Sequence, residues 1–299
     1  SNFMKNKIIL LGCGFLGTGI HYESQKRELS IISTKLNKKN NVIQLDLTDH
    51  KKIEDLIESE KPELIINCAG RTDVDLIEKN PNTAIQINSI APEIIAKNCK
   101  KNGSRLIHIS TDSVFDGNKG MYTEEDLPNP RNVYAKTKLD GEKRIAENCN
   151  DFVIIRTNFY GINHSGKYLF NNILQKLDTG QNVVGFNDVY FSPLSVENLS
   201  QQILDVATSD YNGVIHLGAD TKLSKYEFCS LMAQELGYGK DYVKPDSIDN
   251  YSFVAERPKN TSLDNNLSKS IVKHKSIDFA DWLKIKKDEI TKFLNLTNV

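Results

Sequence analysis

Apolar residues fall into two patterns along this chain. In the first half they gather in short runs separated by longer amphipathic stretches. The runs predict strands at Lys7–Leu11, Leu29–Thr34, Val42–Leu45, Glu63–Asn67, Arg105–Ser110 and Phe152–Arg156. The intervening stretches predict helices at Phe15–Gln25, Asp49–Ser59, Thr83–Lys101 and Val133–Glu147, with Pro92 bending or dividing the third. This alternation is the signature of an α/β chain with a doubly wound parallel sheet. After Thr157 the pattern loosens. Lys167–Leu177, Val196–Ala207 and Lys225–Leu236 read as helices and Gly213–Leu217 as a strand. Asp278–Leu294 reads as a last amphipathic helix with the sole tryptophan, Trp282. No internal repeat or low-complexity linker interrupts the chain. The expected division is residues 1–158 as a nucleotide-binding domain, with returning segments such as 195–218, and 159–299 as a smaller C-terminal substrate lobe over the sheet's carboxyl edge.

A chain of 299 residues is long enough to bury a substantial core. Its 38 basic and 39 acidic residues leave a net charge of −1, which argues against a dedicated nucleic-acid binder. Five scattered cysteines, Cys13, Cys68, Cys99, Cys149 and Cys229, include no Cys-x-x-Cys pair, so neither a zinc site nor a disulfide framework is expected. A reducing cytoplasm suits them. The N-terminus imitates a lipoprotein signal, with Met4-Lys5-Asn6-Lys7 ahead of Ile8-Ile9-Leu10-Leu11-Gly12-Cys13. The apolar run is shorter than the ~7–15 residues export requires and fits a buried first strand better. Ser1–Phe3 precede Met4, the expected initiator, and no run approaches a membrane span.

Chemistry enters with Gly12-Cys13-Gly14-Phe15-Leu16-Gly17, placed between a predicted strand and a predicted helix. In that setting the first glycine permits the turn and the second lets a pyrophosphate approach the backbone. The third allows close helix–strand packing. The helix's free N–H groups then face the phosphates. This is the opening of a Rossmann sheet. The second strand ends in Ser33-Thr34-Lys35, with Lys38 and Lys39 nearby, and carries no carboxylate to repel a 2′-phosphate. NADP is therefore expected over NAD, with NAD left open. Asp46 and Leu47 follow the third strand beside the adenine, and Cys68, Ala69 and Gly70 follow the fourth along the cofactor path.

Tyr134 and Lys138 stand four apart on a predicted helix and share one face. An ammonium beside a phenol favours the phenolate, so Lys138 is expected to lower the tyrosine pKa. Lys136, at the second position, points elsewhere. The strand ending at Ser110 delivers Thr111, whose hydroxyl can bond a substrate carbonyl. Thr111, Tyr134 and Lys138 together describe hydride transfer in which Tyr134 supplies the proton. Lys138 can also grip the nicotinamide ribose.

This combination resembles the extended short-chain dehydrogenase/reductase superfamily, and within it the dTDP-4-dehydrorhamnose reductase family. The likeness spans nearly the whole chain. Beyond the glycine loop it rests on Ala69-Gly70-Arg71-Thr72-Asp73-Val74-Asp75 with Glu78, on Asn88, and on Ser110-Thr111-Asp112 with Val114-Phe115-Asp116-Gly117. It continues through Tyr122-x-Glu124, Pro130-x-Asn132-x-Tyr134, Lys138-Leu139-x-Gly141-Glu142, Arg156-Thr157 and Arg257-Pro258-x-Asn260 with Leu263. The resemblance implies Thr111, Tyr134 and Lys138 as the catalytic set. It places Thr72 and Asp112 at the substrate, Phe159 against the hexose and Arg257 at the nucleotide end. It implies NADPH-dependent reduction of a 4-keto-6-deoxy nucleotide sugar. Three departures lie towards the substrate: Ser113 replaces an aromatic, Phe159 a tryptophan, and Val189–Pro193 matches the usual segment loosely.

Tyr122 lacks a lysine at the fourth position and is expected to pack or to touch substrate. His21, His108 and His216 have no partners at metal-ligand spacing, and no metal is expected. Two other readings share the fold. A nucleotide-sugar epimerase or dehydratase would hold NAD tightly, but dehydratases typically place Glu where Ser113 stands. A non-catalytic NADP-binding regulatory subunit would not need the intact Thr111, Tyr134 and Lys138. A homodimer is left open; neither nucleic acid nor membrane is an expected partner.

Overall fold

The computed structural model describes residues 7–35 and 42–297. Met4, Lys38 and Lys39 lie outside the described residues. Seven parallel strands form the central sheet: β1 (Ile8–Leu11), β2 (Ile31–Lys35), β3 (Ile43–Gln44), β4 (Leu64–Asn67), β5 (Arg105–Ile109), β6 (Phe152–Thr157) and, late in the chain, Gly213–Leu217. In spatial order they run β3-β2-β1-β4-β5-β6 and then Gly213–Leu217, which pairs with β6 from Gly213 opposite Val153 to Leu217 opposite Thr157. The order reverses between β1 and β4, and a crevice opens there beyond the strands' carboxyl ends.

The period-two geometry of these strands explains their unbroken apolar runs. Ile8, Leu10, Leu64, Ile66, Ile107, Ile109, Val153 and Ile155 point to one face, and Ile9, Leu11, Ile65, Leu106 and Ile154 to the other. Both faces are covered, so neither alternate set can be polar. On the first face lies α1 (Phe15–Lys26), which buries Leu16 and Ile20. The second is covered by α2 (His50–Glu60), capped by Asp49 accepting from the Lys52 amide, and by later helices.

The stretch expected as one long helix is in three pieces. After α3 (Val74–Lys79), which the sequence reading missed, come the single turn α4 (Asn82–Ala84), a π-helical segment at Ile85–Ile90, and α5 (Ala91–Asn102). Pro92 sits in the first turn of α5, directly after the π segment, and has no N–H to give the Asn88 carbonyl one turn back, so the division falls beside the proline, as expected. The π segment presses its backbone against α6 (Val133–Asn148). Ser89 Oγ donates to the Thr137 carbonyl at 2.9 Å, and Asn88 Nδ2 donates to Thr137 Oγ1 at 3.2 Å.

A Cβ added at Gly141 would lie 2.1 Å from the Asn88 carbonyl oxygen. Both sides of that contact are backbone, so neither can rotate away. Gly141→Ala is expected to destabilise the chain by about 1–3 kcal/mol, the cost of overpacking a tight site. The lowered midpoint of a denaturant titration checks it.

A second apolar core forms beyond β6. Its short strands are β7 (Phe159–Tyr160), β8 (Val183–Phe186), β9 (Tyr190–Phe191) and β10 (Leu194–Ser195). With Gly213–Leu217 as β11, the last two are β12 (Leu223–Ser224) and β13 (Val243–Asp246). Around them pack α7 (Leu169–Asp178), α9 (Lys225–Glu235) and α11 (Phe279–Thr297). Two further helices are α8 (Val196–Ala207), which lies along α1 and the first sheet face, and the short α10 (Asn266–Lys269). Trp282 is buried in the second core, edge-on to Tyr160 and Phe170. The last helix runs three residues beyond its expected end.

Candidate active site

The glycine loop closes the crevice at the end of β1. Gly12 has φ +84°, and a Cβ there would lie 2.5 Å from the Ala69 amide nitrogen. A Cβ at Gly17 would lie 2.4 Å from the Gly12 carbonyl oxygen. Gly14, by contrast, has nothing within 4 Å of where its Cβ would be, and it caps α1 without a side chain. The first-turn amides therefore face open space, the cradle a pyrophosphate needs.

One cavity of about 280 Å³ gathers every residue expected at the cofactor. Gly12, Gly14, Phe15, Leu16 and Gly17 form its floor, and Thr34, Lys35, Asp46 and Leu47 one end. Cys68, Ala69, Gly70 and Thr72 line one side, with Tyr134, Lys138 and Phe159 at the far end. The residues present fit a nicotinamide dinucleotide. Asp46 accepts from the Thr48 amide at 2.9 Å and hydroxyl at 2.8 Å, which hold its carboxyl below the usual range. Burial pushes the Cys68 thiol up, so it is a packing residue and not a nucleophile.

Tyr134 stands in the first turn of α6. Asn132 caps that helix by accepting from the Ala135 amide, and Glu78 accepts from the Val133 amide at 2.8 Å. One turn on, Lys138 Nζ donates to the Ile109 carbonyl at 3.0 Å. The expected electrostatic pairing is corrected here. Burial pushes the Tyr134 phenol up to about 12, with a hydrogen bond from Thr111 opposing and the Asp112 charge adding to the rise. Lys138 is pushed down to about 8 by burial, against the pull of Glu142 and Cys68. Its ammonium donates to the Ile109 carbonyl and lies near Gly70, and burial dominates at the phenol.

Thr111 is buried at the end of β5. Its hydroxyl accepts from the Ser113 amide at 3.1 Å and reaches Asp112 Oδ1 at 3.4 Å. Asp112 is 2% exposed and takes hydrogen bonds from Asn158 and Thr261, both at 3.0 Å; burial still raises its pKa. Beneath, Ser110 donates to Glu142 at 2.6 Å, and Glu142 pairs with Arg156 at 2.7 Å, both nearly fully buried.

Asp112 opens into a second cavity of about 450 Å³ between β8, β9, α7 and α9. Phe159, expected at the hexose, lines the first cavity beside Tyr134, edge-on to Phe15 at 6.1 Å. Arg257 lines the second, where Asp75 grips it with two bonds of 3.0 Å. Tyr122 is buried, stacked on Phe115 at 4.2 Å and bonded to Asp116. His108 and His216 are buried and held largely neutral by burial. Among the described residues, no group of three His, Cys, Asp or Glu is placed to hold a metal, and no helix is long and apolar enough to cross a membrane.

Several lining residues escaped the sequence reading. Arg71 and Ile87 line the first cavity, and Tyr168 meets Phe15 at 4.9 Å. Asn88, noted only by resemblance, holds the backbone of Arg71 through two hydrogen bonds, at 2.9 and 3.1 Å. No local pattern marks Tyr168, because it reaches the cofactor loop from a distant segment.

The chain is similar to known proteins. The rat methionine adenosyltransferase 2 subunit beta is 29% identical over 283 residues, covering 88% of this chain and 81% of that protein. The dTDP-4-dehydrorhamnose reductase of Mycobacterium tuberculosis is 31% identical over 227 residues, 74% of each chain. The crystal structure of the Bacillus anthracis dTDP-4-dehydrorhamnose reductase in complex with NADP superposes with a TM-score of 0.83 at 26% identity, covering 97% of this chain and 99% of that one. The model of the RmlD substrate binding domain matches residues 6–291, from the first strand into the final helix, and the chain that builds this crevice belongs to that family.

Proposed function

We propose that this chain is an oxidoreductase that reduces a 4-keto-6-deoxy nucleotide sugar with NADPH, a step of nucleotide-sugar and polysaccharide biosynthesis. The observation that carries the reading is that Tyr134 and Lys138 line the crevice that the glycine loop closes, with buried Thr111 hydrogen-bonded to the Tyr134 phenol. Nicotinamide bound there supplies a hydride to the sugar's C4. Tyr134 gives its proton to the C4 oxygen while Thr111 donates a hydrogen bond to it, and Lys138 holds positive charge beside the developing alkoxide. Asp112 and Thr72 orient the sugar, Phe159 closes the crevice over it, and Arg257 faces the nucleotide end. Residues 1–158, with 195–218 returning to them, form the cofactor unit, and 159–299 form the substrate lobe. The five free cysteines suit a cytoplasmic setting.

Turnover of NADPH against a panel of 4-keto nucleotide sugars, including dTDP-4-dehydro-L-rhamnose, tests the reading. Oxidation with one of them is expected, and faster than with NADH. Lys35 lines the adenine end of the cavity. Lys35→Glu is expected to raise the NADPH KM tenfold or more while leaving the NADH KM within a few-fold, because it sets a carboxylate against the 2′-phosphate. Silence across the whole panel would reject the activity.

A second reading is favoured by one observation, the 29% identity to the rat methionine adenosyltransferase 2 subunit beta over 88% of the chain. On that reading the chain binds NADP and a partner enzyme without turnover. A stoichiometric partner together with no reductase activity would favour it; the intact Thr111, Tyr134 and Lys138 speak for the first.

A further inference from the structure

The second cavity contains a cation that the protein leaves without a partner. Lys225, the first residue of α9, points its ammonium over the Phe191 ring, 3.6 Å from the centroid. It makes no ion pair and no side-chain hydrogen bond with any described residue. Burial pushes its pKa down to about 8, and the charge of Asp112 opposes that shift. Asp112 faces the same cavity but is already satisfied by Asn158 and Thr261. A second free ammonium, exposed Lys176 of α7, lines the same cavity, and both cations act on the Cys229 thiol. Arg257 is different, since Asp75 neutralises it. Val184, Phe186 and Phe253 give the wall apolar surface, and Ser113, Asn172 and Tyr190 add polar groups.

Keeping an ammonium in such a site costs free energy, and the face of one aromatic ring returns only part of it. Such a cost persists where a ligand supplies the missing acceptor. We infer that Lys225, backed by Lys176, is the anion-recognising and specificity-determining residue of this cavity, and that the ligand places an anionic oxygen against it. This deepens the proposed reductase reading and rests on it for the identity of the ligand as a nucleotide sugar. The oxygen has two sources, the diphosphate, which the 6-deoxy substrate of that reading carries, or a sugar carboxylate, which that substrate lacks and whose recognition would point to a uronate instead.

Calorimetric titration of the full chain loaded with NADP⁺ separates these sources. The probes are dTDP, UDP-glucose and UDP-glucuronate. If Lys225 meets the diphosphate, Lys225→Met weakens all three at least tenfold, the range for a hydrogen bond to a charged group. If it meets a carboxylate, only UDP-glucuronate is weakened. Lys225→Arg keeps affinity within a few-fold in either case. The Met variant should melt no lower than the wild type and bind NADP⁺ equally, since it removes a half-buried charge that has no ion-pair partner among the described residues. Equal affinities of the wild type and Lys225→Met for all three probes would overturn the inference. So would a wild type that binds none of them, or a Met variant that melts lower and loses NADP⁺ as well. No readout here needs turnover, so a failed keto-sugar panel rejects the reductase and leaves the anion site to stand or fall on binding.

Discussion

Tyr134→Phe lowers the rate of carbonyl reduction by about 10²–10⁴-fold, the contribution of a positioned general acid, and leaves NADPH binding unchanged. The ring stays, so the packing at the start of α6 stays, and the caps from Asn132 and Glu78 act on backbone amides that the substitution does not touch. What is lost is one proton at the far end of the crevice. The raised pKa of about 12 gives that loss a direction. At neutral pH the phenol is fully protonated and ready to give, and an alkoxide is far more basic than even this phenolate. The site is therefore poised for reduction. Running in reverse, it would need a phenolate that burial disfavours. Single-turnover rates with NADPH and a responsive keto sugar, beside fluorescence titration of NADPH, check both halves. An active Phe variant would remove Tyr134 from the chemistry.

Much of the sheet was legible because its signal is local. Runs such as Ile8–Leu11 and Leu64–Asn67 need cover on both faces, and only a strand inside a parallel sheet gives it. The glycine loop was legible for the same reason, since turn, close approach and packing each demand a residue without a Cβ at fixed spacing. The π segment at Ile85–Ile90 was not legible. Pro92 marks where the helix changes, but the close approach of Gly141 on α6 to the Asn88 carbonyl is tertiary, and no helical periodicity records it. Nor was Lys225, which in sequence only opens a predicted helix. Only the fold of β9 and α9 turns it inward over Phe191. The Tyr134–Lys138 spacing was legible as geometry but misleading as electrostatics. Helical spacing brings two side chains to one face, yet burial sets their proton affinities, and here it moves both against their charged forms.

That reversal makes Lys138 the most informative residue to titrate. Its ammonium is charged below about 8 and neutral above. If the charge stabilises the developing alkoxide, kcat/KM holds level towards neutral pH and falls as pH rises through about 8, since this parameter reports groups of the free enzyme. Lys138→Met should show a rate lower by about 10²-fold at neutral pH, on the scale of losing one preorganised electrostatic donor, and should lose the alkaline limb. Stability should move the other way. The folded pKa lies below the unfolded value of 10.5, so between about 8 and 10.5 the unfolded chain binds more protons, and Lys138 makes the fold more stable as pH rises through that window. Below it, the fold carries a desolvated charge held chiefly by the Ile109 carbonyl. Removing the charge should therefore leave the melting temperature at neutral pH unchanged or raised while activity collapses. A structural lysine would lose both together. Opposite signs in the two measurements are what a cation kept for catalysis at the fold's expense must produce.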